Sequence, residues 1–215
     1  MFSLDNRLMT CASFVPSGAR LADIGTDHAY LPVWLLKHNR ITYAIASDVN
    51  SGPLESGKAT AEKYQADNID FRLGSGVETL TKEDNINCIV IAGMGGELIA
   101  DILSKNQIIK DKNLLLILQP MTKAHELVKY LYKEGFEISG QKTCESHKKH
   151  YTVMAVNYTG NCQEIDEVFA YTGKLDFSDA SDRNYISHQI SNLENQAKGN
   201  PHFGEIANYI KDKLK

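Results

Sequence analysis

Short, β-branched apolar runs alternate along this chain with stretches whose apolar residues recur at helical spacing. The runs predict strands at "RLADIG" (20–25), "TYAIASD" (42–48), "IDFRLG" (69–74), "NCIVIAG" (87–93) and "NLLLILQP" (113–120). Helical patterns fall between or after them at 29–39, 51–66, 96–104 and 122–134, and Leu4, Leu8, Cys11, Ala12 and Val15 mark an amphipathic opening segment. This is the rhythm of a parallel sheet covered by helices on both faces. Two further runs, "FEISGQKTCES" (136–146) and "KHYTVMAVNY" (149–158), follow with no helix between them, so they should form an antiparallel hairpin at the sheet edge. The expectation is an α/β, Rossmann-like, seven-stranded sheet with its last strand antiparallel.

Past Tyr158 the pattern changes to a polar connector carrying a short helical turn, which puts a domain boundary near residue 160. Ile186, Ile190, Leu193 and Ala197, then Ile206, Ile210 and Leu214, fall at steps of three or four around "KGNP". Gly199 can cap the first helix and Pro201 can start the second. The division is therefore 1–160 for the main domain and 161–215 for a small C-terminal helical hairpin.

Composition narrows the class. The chain has 215 residues, 42% hydrophobic and 23% charged, with no apolar run long enough to span a membrane, and Asp5 and Arg7 interrupt what would be a leader's apolar region. A cytoplasmic protein is expected. Cys11, Cys88, Cys144 and Cys162 are widely spaced, so neither a metal site nor a disulfide framework is expected. A net charge of −4 argues against gripping nucleic acid by bulk electrostatics. A local excess remains: Lys105 to Lys149 holds nine lysines against five acids.

The candidate chemistry starts at "DIGTDHA" (23–29), a strand-to-helix turn where exposed backbone N–H groups commonly hold a cofactor. Against a D-x-G-x-G-x-G pattern, Asp23 and Gly25 match, while Asp27 and Ala29 replace the later glycines. A carboxylate at Asp27 would repel a pyrophosphate, which disfavours a nicotinamide-dependent dehydrogenase. It suits S-adenosylmethionine, which carries a sulfonium, an ammonium and no phosphate. Asp48 ends the second strand 25 residues past Asp23, where an acid can hold ribose hydroxyls. "RLGSG" (72–76) and "IAGMGGE" (91–97) bring two more strand ends to the same crevice.

The segments "DIGTDHAYLP", "IAGMGGELIADIL" and "LILQP" closely resemble the bacterial TrmK family, tRNA (adenine-22-N1)-methyltransferases with a class I methyltransferase domain and a C-terminal coiled coil. The resemblance spans residues 3–158. It implies methyl transfer from S-adenosylmethionine to the ring nitrogen of a tRNA adenine. It also implies that Asp23 and Gly25 line the cofactor's methionine end and Asp48 its ribose; the turn at Gly74–Ser75, which ends the third strand and stands where methyltransferases often carry Gly-Asp, could bracket its adenine. Ala92, Gly93 and Met94 would stand at the strand end where other adenine methyltransferases carry an N/D-P-P-Y motif, which is absent here.

Neutral adenine offers its N1 lone pair directly, so positioning should dominate catalysis. Asp27 and His28 are the candidates for stabilising the cationic product or handling its proton, and Met94 for an apolar wall against the base. Tyr30 would stack on the extruded adenine or pack beside Trp34. Arg7, Lys123, Lys129, Lys133, Lys148 and Lys149 are the candidate phosphate contacts for tRNA. A monomer is expected. Competing readings are a methyltransferase of ribosomal RNA, protein or a small molecule, and a non-catalytic RNA-binding module of the same fold.

Overall fold

The computed structural model describes residues 2–214. The elements run α1 (Asn6–Phe14), β1 (Ala19–Ile24), α2 (Tyr30–Lys37), β2 (Ile41–Asp48), α3 (Ser51–Tyr64), β3 (Ile69–Leu73), β4 (Cys88–Gly95), α4 (Gly96–Ser104), β5 (Leu115–Thr122), α5 (Ala124–Lys133), β6 (Phe136–Ser146), β7 (Lys149–Tyr158), α6 (Glu167–Thr172), α7 (Ala180–Ala197) and α8 (His202–Lys213). Seven strands form one sheet in the order β3-β2-β1-β4-β5-β7-β6. The pairs among β1 to β5 are parallel, and β7 runs antiparallel to both β5 and β6. The seven expected strands are all present, shifted by at most a few residues at their ends.

Period-two alternation explains why the central strands are apolar throughout. In β4, Ile89 and Ile91 enter one core with α4 and α5, while Cys88 and Val90 enter another with α1 and α2. In β5, Leu116 and Leu118 face the first core and Ile117 the second. A strand buried on both faces needs no polar alternation. The N-terminal helix is fixed by its cap, with Asp5 Oδ1 accepting from the Leu8 N–H at 2.7 Å. All four cysteines are free thiols.

Two features place the sheet's carboxyl edge. Arg72, near the end of β3, donates two hydrogen bonds to the carboxylate of Asp84, each at 2.7 Å, and pins the segment between β3 and β4. Those bonds hold the Asp84 carboxyl down at about 2, so this contribution is full above pH 4 and lost as pH falls toward 2. At the other end, β7 begins beside the end of β5, since Leu118 pairs with Met154 in antiparallel register. The hairpin tip at 147–148 therefore lies on the edge where the parallel strands end.

Helices α6, α7 and α8 gather around a separate small core of Leu175, Tyr185, Ile186, Ile190, Leu193, Ile206 and Ile210. They meet the sheet through Asp182 of α7, which accepts from the Thr143 hydroxyl on β6 at 2.7 Å.

Candidate active site

The strand order reverses between β1 and β4, and a cleft of about 380 Å³ opens at that point, above the carboxyl ends of the strands. Its walls include Asp23 and Gly25 of the first turn, Gly93 and Met94 of β4, Met121 of β5 and Arg7 of α1. Ligands of open α/β sheets bind at such a switch point.

The first turn departs from the expectation of outward-pointing N–H groups. The N–H groups of Gly25 and Thr26 both donate to the Ser47 carbonyl, at 2.8 and 2.9 Å, so they face β2 rather than the cleft. The cleft side of the turn is instead acidic. Asp23 is only 8% exposed, and burial raises its carboxyl to about 6, with the Thr26 hydroxyl and the Arg7 guanidinium pulling the other way. A buried carboxylate beside withdrawn N–H groups suits a cation.

Gly25 carries a φ of +71°, in the left-handed region that strains any side chain, and the Met94 methyl packs where its Cβ would stand. Met94 thus packs across the floor of the cleft. Asp48 closes β2, its Oδ1 accepting from the Asn50 N–H at 2.7 Å. The Gly74 N–H donates to the Asp48 carbonyl at 2.9 Å, which brings Gly74 and the exposed Ser75 beside it. Val49 and Leu73, at the ends of β2 and β3, are 61% and 63% exposed. Two bare aliphatic side chains flanking an acid fit the faces of a purine above ribose hydroxyls. Sequence reasoning passed over both, because each reads as the last apolar residue of a strand.

The third residue it missed is Gln119. This β5 side chain is fully buried, and its Oε1 accepts from both Arg7 Nη1 at 2.8 Å and the Gly93 N–H at 3.0 Å. Its Nε2 donates to the Pro120 carbonyl at 2.9 Å. A shift in the β4–β5 register between Ala92 and Met94 frees the Gly93 N–H from the ladder, and Gln119 takes it up. The signal was available in "LILQP", an uncharged polar residue inside an apolar strand.

The remaining expected site residues fall as follows. Arg7, expected as a phosphate contact on an exposed face, lies instead in the cleft wall, 19% exposed, bound to Gln119 and 3.7 Å from Asp5. Tyr30 does not pack on Trp34, which stacks with His38; it lies against His28, ring planes 12° apart, and is 41% exposed at the cleft. Asp27 stands on the rim, 85% exposed and 3.5 Å from His28 Nε2. Lys123 is ion-paired with Glu97, and Lys129 with Glu126 and Glu167. Lys133 lies on the last turn of α5. Lys148 and Lys149 are exposed at the hairpin tip.

An open sheet with this strand order, an antiparallel β7 and acids ending β1 and β2 defines the class I methyltransferase fold. A methyltransferase-domain family model matches residues 4–154. The tRNA (adenine(22)-N(1))-methyltransferase of Bacillus subtilis is 39% identical over 176 residues, 80% of this chain and 72% of that protein. A Streptococcus pneumoniae structure described as a putative tRNA (m1A22) methyltransferase in complex with S-adenosyl-L-methionine superposes with a TM-score of 0.87 at 31% identity, covering 100% of both chains. Mycoplasma capricolum TrmK, solved with S-adenosyl-homocysteine, gives 0.80 at 27% identity over 98% of this chain and 96% of that one. The chain belongs to the tRNA (adenine-22-N1)-methyltransferase family. Among the described residues no helix is long and apolar enough to cross a membrane, and no cluster of candidate metal ligands occurs.

Proposed function

We propose that this protein transfers a methyl group from S-adenosylmethionine to N1 of adenine 22 in tRNA. The observation that carries the cofactor reading is the buried Asp23 carboxylate in a cleft whose nearest loop N–H groups are committed elsewhere. Asp23 attracts the cofactor's ammonium, Asp48 accepts from its ribose hydroxyls, and Val49 and Leu73 cover its purine, next to Gly74 and Ser75. When bound, the cofactor supplies an electrophilic methyl on a sulfonium.

The chain's remaining task is to present the base. Ala92, Gly93 and Met94 form the strand end it approaches, with Tyr30 and Met121 as exposed flanks of the opening. Arg7, held by Gln119, points a cationic donor into the cleft, where it can bond an adenine ring acceptor and disfavour a protonated base, keeping the N1 lone pair available. Asp27 and His28, at the solvent rim, are placed to take the proton that the cationic product sheds. Incubation with methyl-labelled cofactor and separate tRNA, ribosomal RNA and protein pools tests the substrate class. Label is expected in tRNA alone, and label in another pool instead contradicts the reading.

The base must leave the folded tRNA to enter the cleft, so phosphates must be held nearby. Lys148 and Lys149 lie on the same sheet edge. Neutralising both, Lys148→Gln with Lys149→Gln, should weaken tRNA binding at low salt and lower the slope of log K against log salt by roughly one to two. Equal binding at every salt concentration removes the tip from the interface.

A further inference from the structure

A second groove, about 470 Å³, lies between the end of β5 with the start of α5 on one side and α7 on the other. It shares Met121 with the cofactor cleft, so the two adjoin at that side chain, beside the strand end that a target base would approach. We infer that this groove binds the RNA strand adjoining the methylated adenine, reading nucleotide edges and sugar hydroxyls. The inference rests on the tRNA reading above.

Three features favour RNA as occupant. First, no aspartate or glutamate lines the groove, although the chain has 27 of them. The nearest acids are already engaged, Glu97 with Lys123 and Glu126 with His125 and Lys129, so an entering polyanion meets paired charges. Second, apart from Lys123, which is paired with Glu97, the polar lining is uncharged amides, imidazoles and hydroxyls that both donate and accept. Gln189, Asn192 and Gln196 fall at helical steps of three and four on one face of α7, and His150 and His188 close the groove, rings 5.7 Å apart. Amides and imidazoles match base edges and 2′-hydroxyls, whereas a site for phosphate alone would concentrate lysine and arginine. Third, extruding one base leaves its neighbours unstacked, and they need partners beside the cleft rather than far from it.

Of the acids of α7, Asp182 lies on this same face two turns before Gln189, but it is buried and bonded to the Thr143 hydroxyl and the Asp176 N–H, and Glu194 pairs with Lys211 of α8. From Gln189 onward the face toward the groove is polar and uncharged.

The double variant Gln189→Ala with Asn192→Ala tests the inference, since both positions are helical and neither side chain belongs to the small core. Its KM for tRNA should rise about tenfold or more, with kcat, cofactor affinity and melting temperature unchanged. Ser187→Ala with Ser191→Ala, outside the groove on the same helix, should behave as wild type. A KM within twofold of wild type for the groove variant, while the wild-type protein methylates tRNA, overturns the groove and leaves the function standing. A wild type that methylates no tRNA instead overturns the function. Diethylpyrocarbonate labelling of the unaltered protein gives a second readout: saturating tRNA should slow modification of His150 and His188, and equal rates with and without tRNA contradict the inference.

Discussion

Asp23→Asn is expected to weaken S-adenosylmethionine binding by roughly 100-fold or more at pH 7.5, without lowering the melting temperature. The two effects part because Asp23 is buried and, among the described residues, no ion pair offsets that burial. Burial lifts its carboxyl from 3.8 to about 6, so the folded protein prefers the protonated form. The ionised side chain thus destabilises the fold by roughly 3 kcal/mol above pH 6, a penalty that shrinks between pH 6 and 4 and is absent below. Asparagine removes the penalty and the attraction for the cofactor's ammonium together. Losing one partner of a buried charge pair typically costs about 3–5 kcal/mol, which sets the size of the binding loss. The same ionisation shapes the pH profile: wild-type affinity should be level above pH 7 and fall by about tenfold per unit below 6, while the Asn variant stays flat. Calorimetric titrations from pH 5 to 8 check both. A wild-type affinity level down to pH 5 contradicts the role given to Asp23.

Gln119→Ala is expected to lower kcat by roughly 100-fold while changing cofactor affinity less than threefold. The substitution leaves the Arg7 guanidinium and the Gly93 N–H without the oxygen that both use, in a wall sealed from solvent on the sheet side. A donor released from its acceptor in such a place costs about 1–3 kcal/mol and moves to find another. Arg7 then no longer points reliably at the base, and catalysis that relies on positioning is sensitive to such displacement. A purely structural role would lower the melting temperature and both affinities together. Comparison of kcat, KM for tRNA and cofactor affinity in Gln119→Ala and Arg7→Ala separates these. Equal kcat losses in the two single variants, with no further loss in the double, are expected; additive losses contradict a shared function.

The sheet was legible in the sequence because its strands are short apolar runs separated by helical spacing, and the absence of a helix between residues 146 and 149 marked the antiparallel hairpin. The acids Asp23 and Asp48 were legible from their place at strand ends. Three kinds of information were not. The direction of the Gly25 and Thr26 N–H groups depends on Ser47, a residue of the neighbouring strand. Arg7 read as surface charge because nothing local ties α1 to Gln119, 112 residues away. Tyr30 read equally as a base-stacking ring or as a neighbour of Trp34 by helical spacing; α2 begins at Tyr30 after left-handed residues at His28 and Ala29, which turn its ring onto His28 and away from the second alternative. Each miss is a long-range contact or a backbone reversal that periodicity cannot encode.

The most direct measurement is nucleoside mapping by mass spectrometry of an unmodified tRNA with adenine at position 22, after incubation with the purified protein and S-adenosylmethionine, beside the same tRNA carrying guanine there. Stoichiometric 1-methyladenosine at position 22 of the first and none in the second is the expected result. Methylation at another position, or none in either tRNA despite measurable cofactor binding, contradicts the assigned substrate.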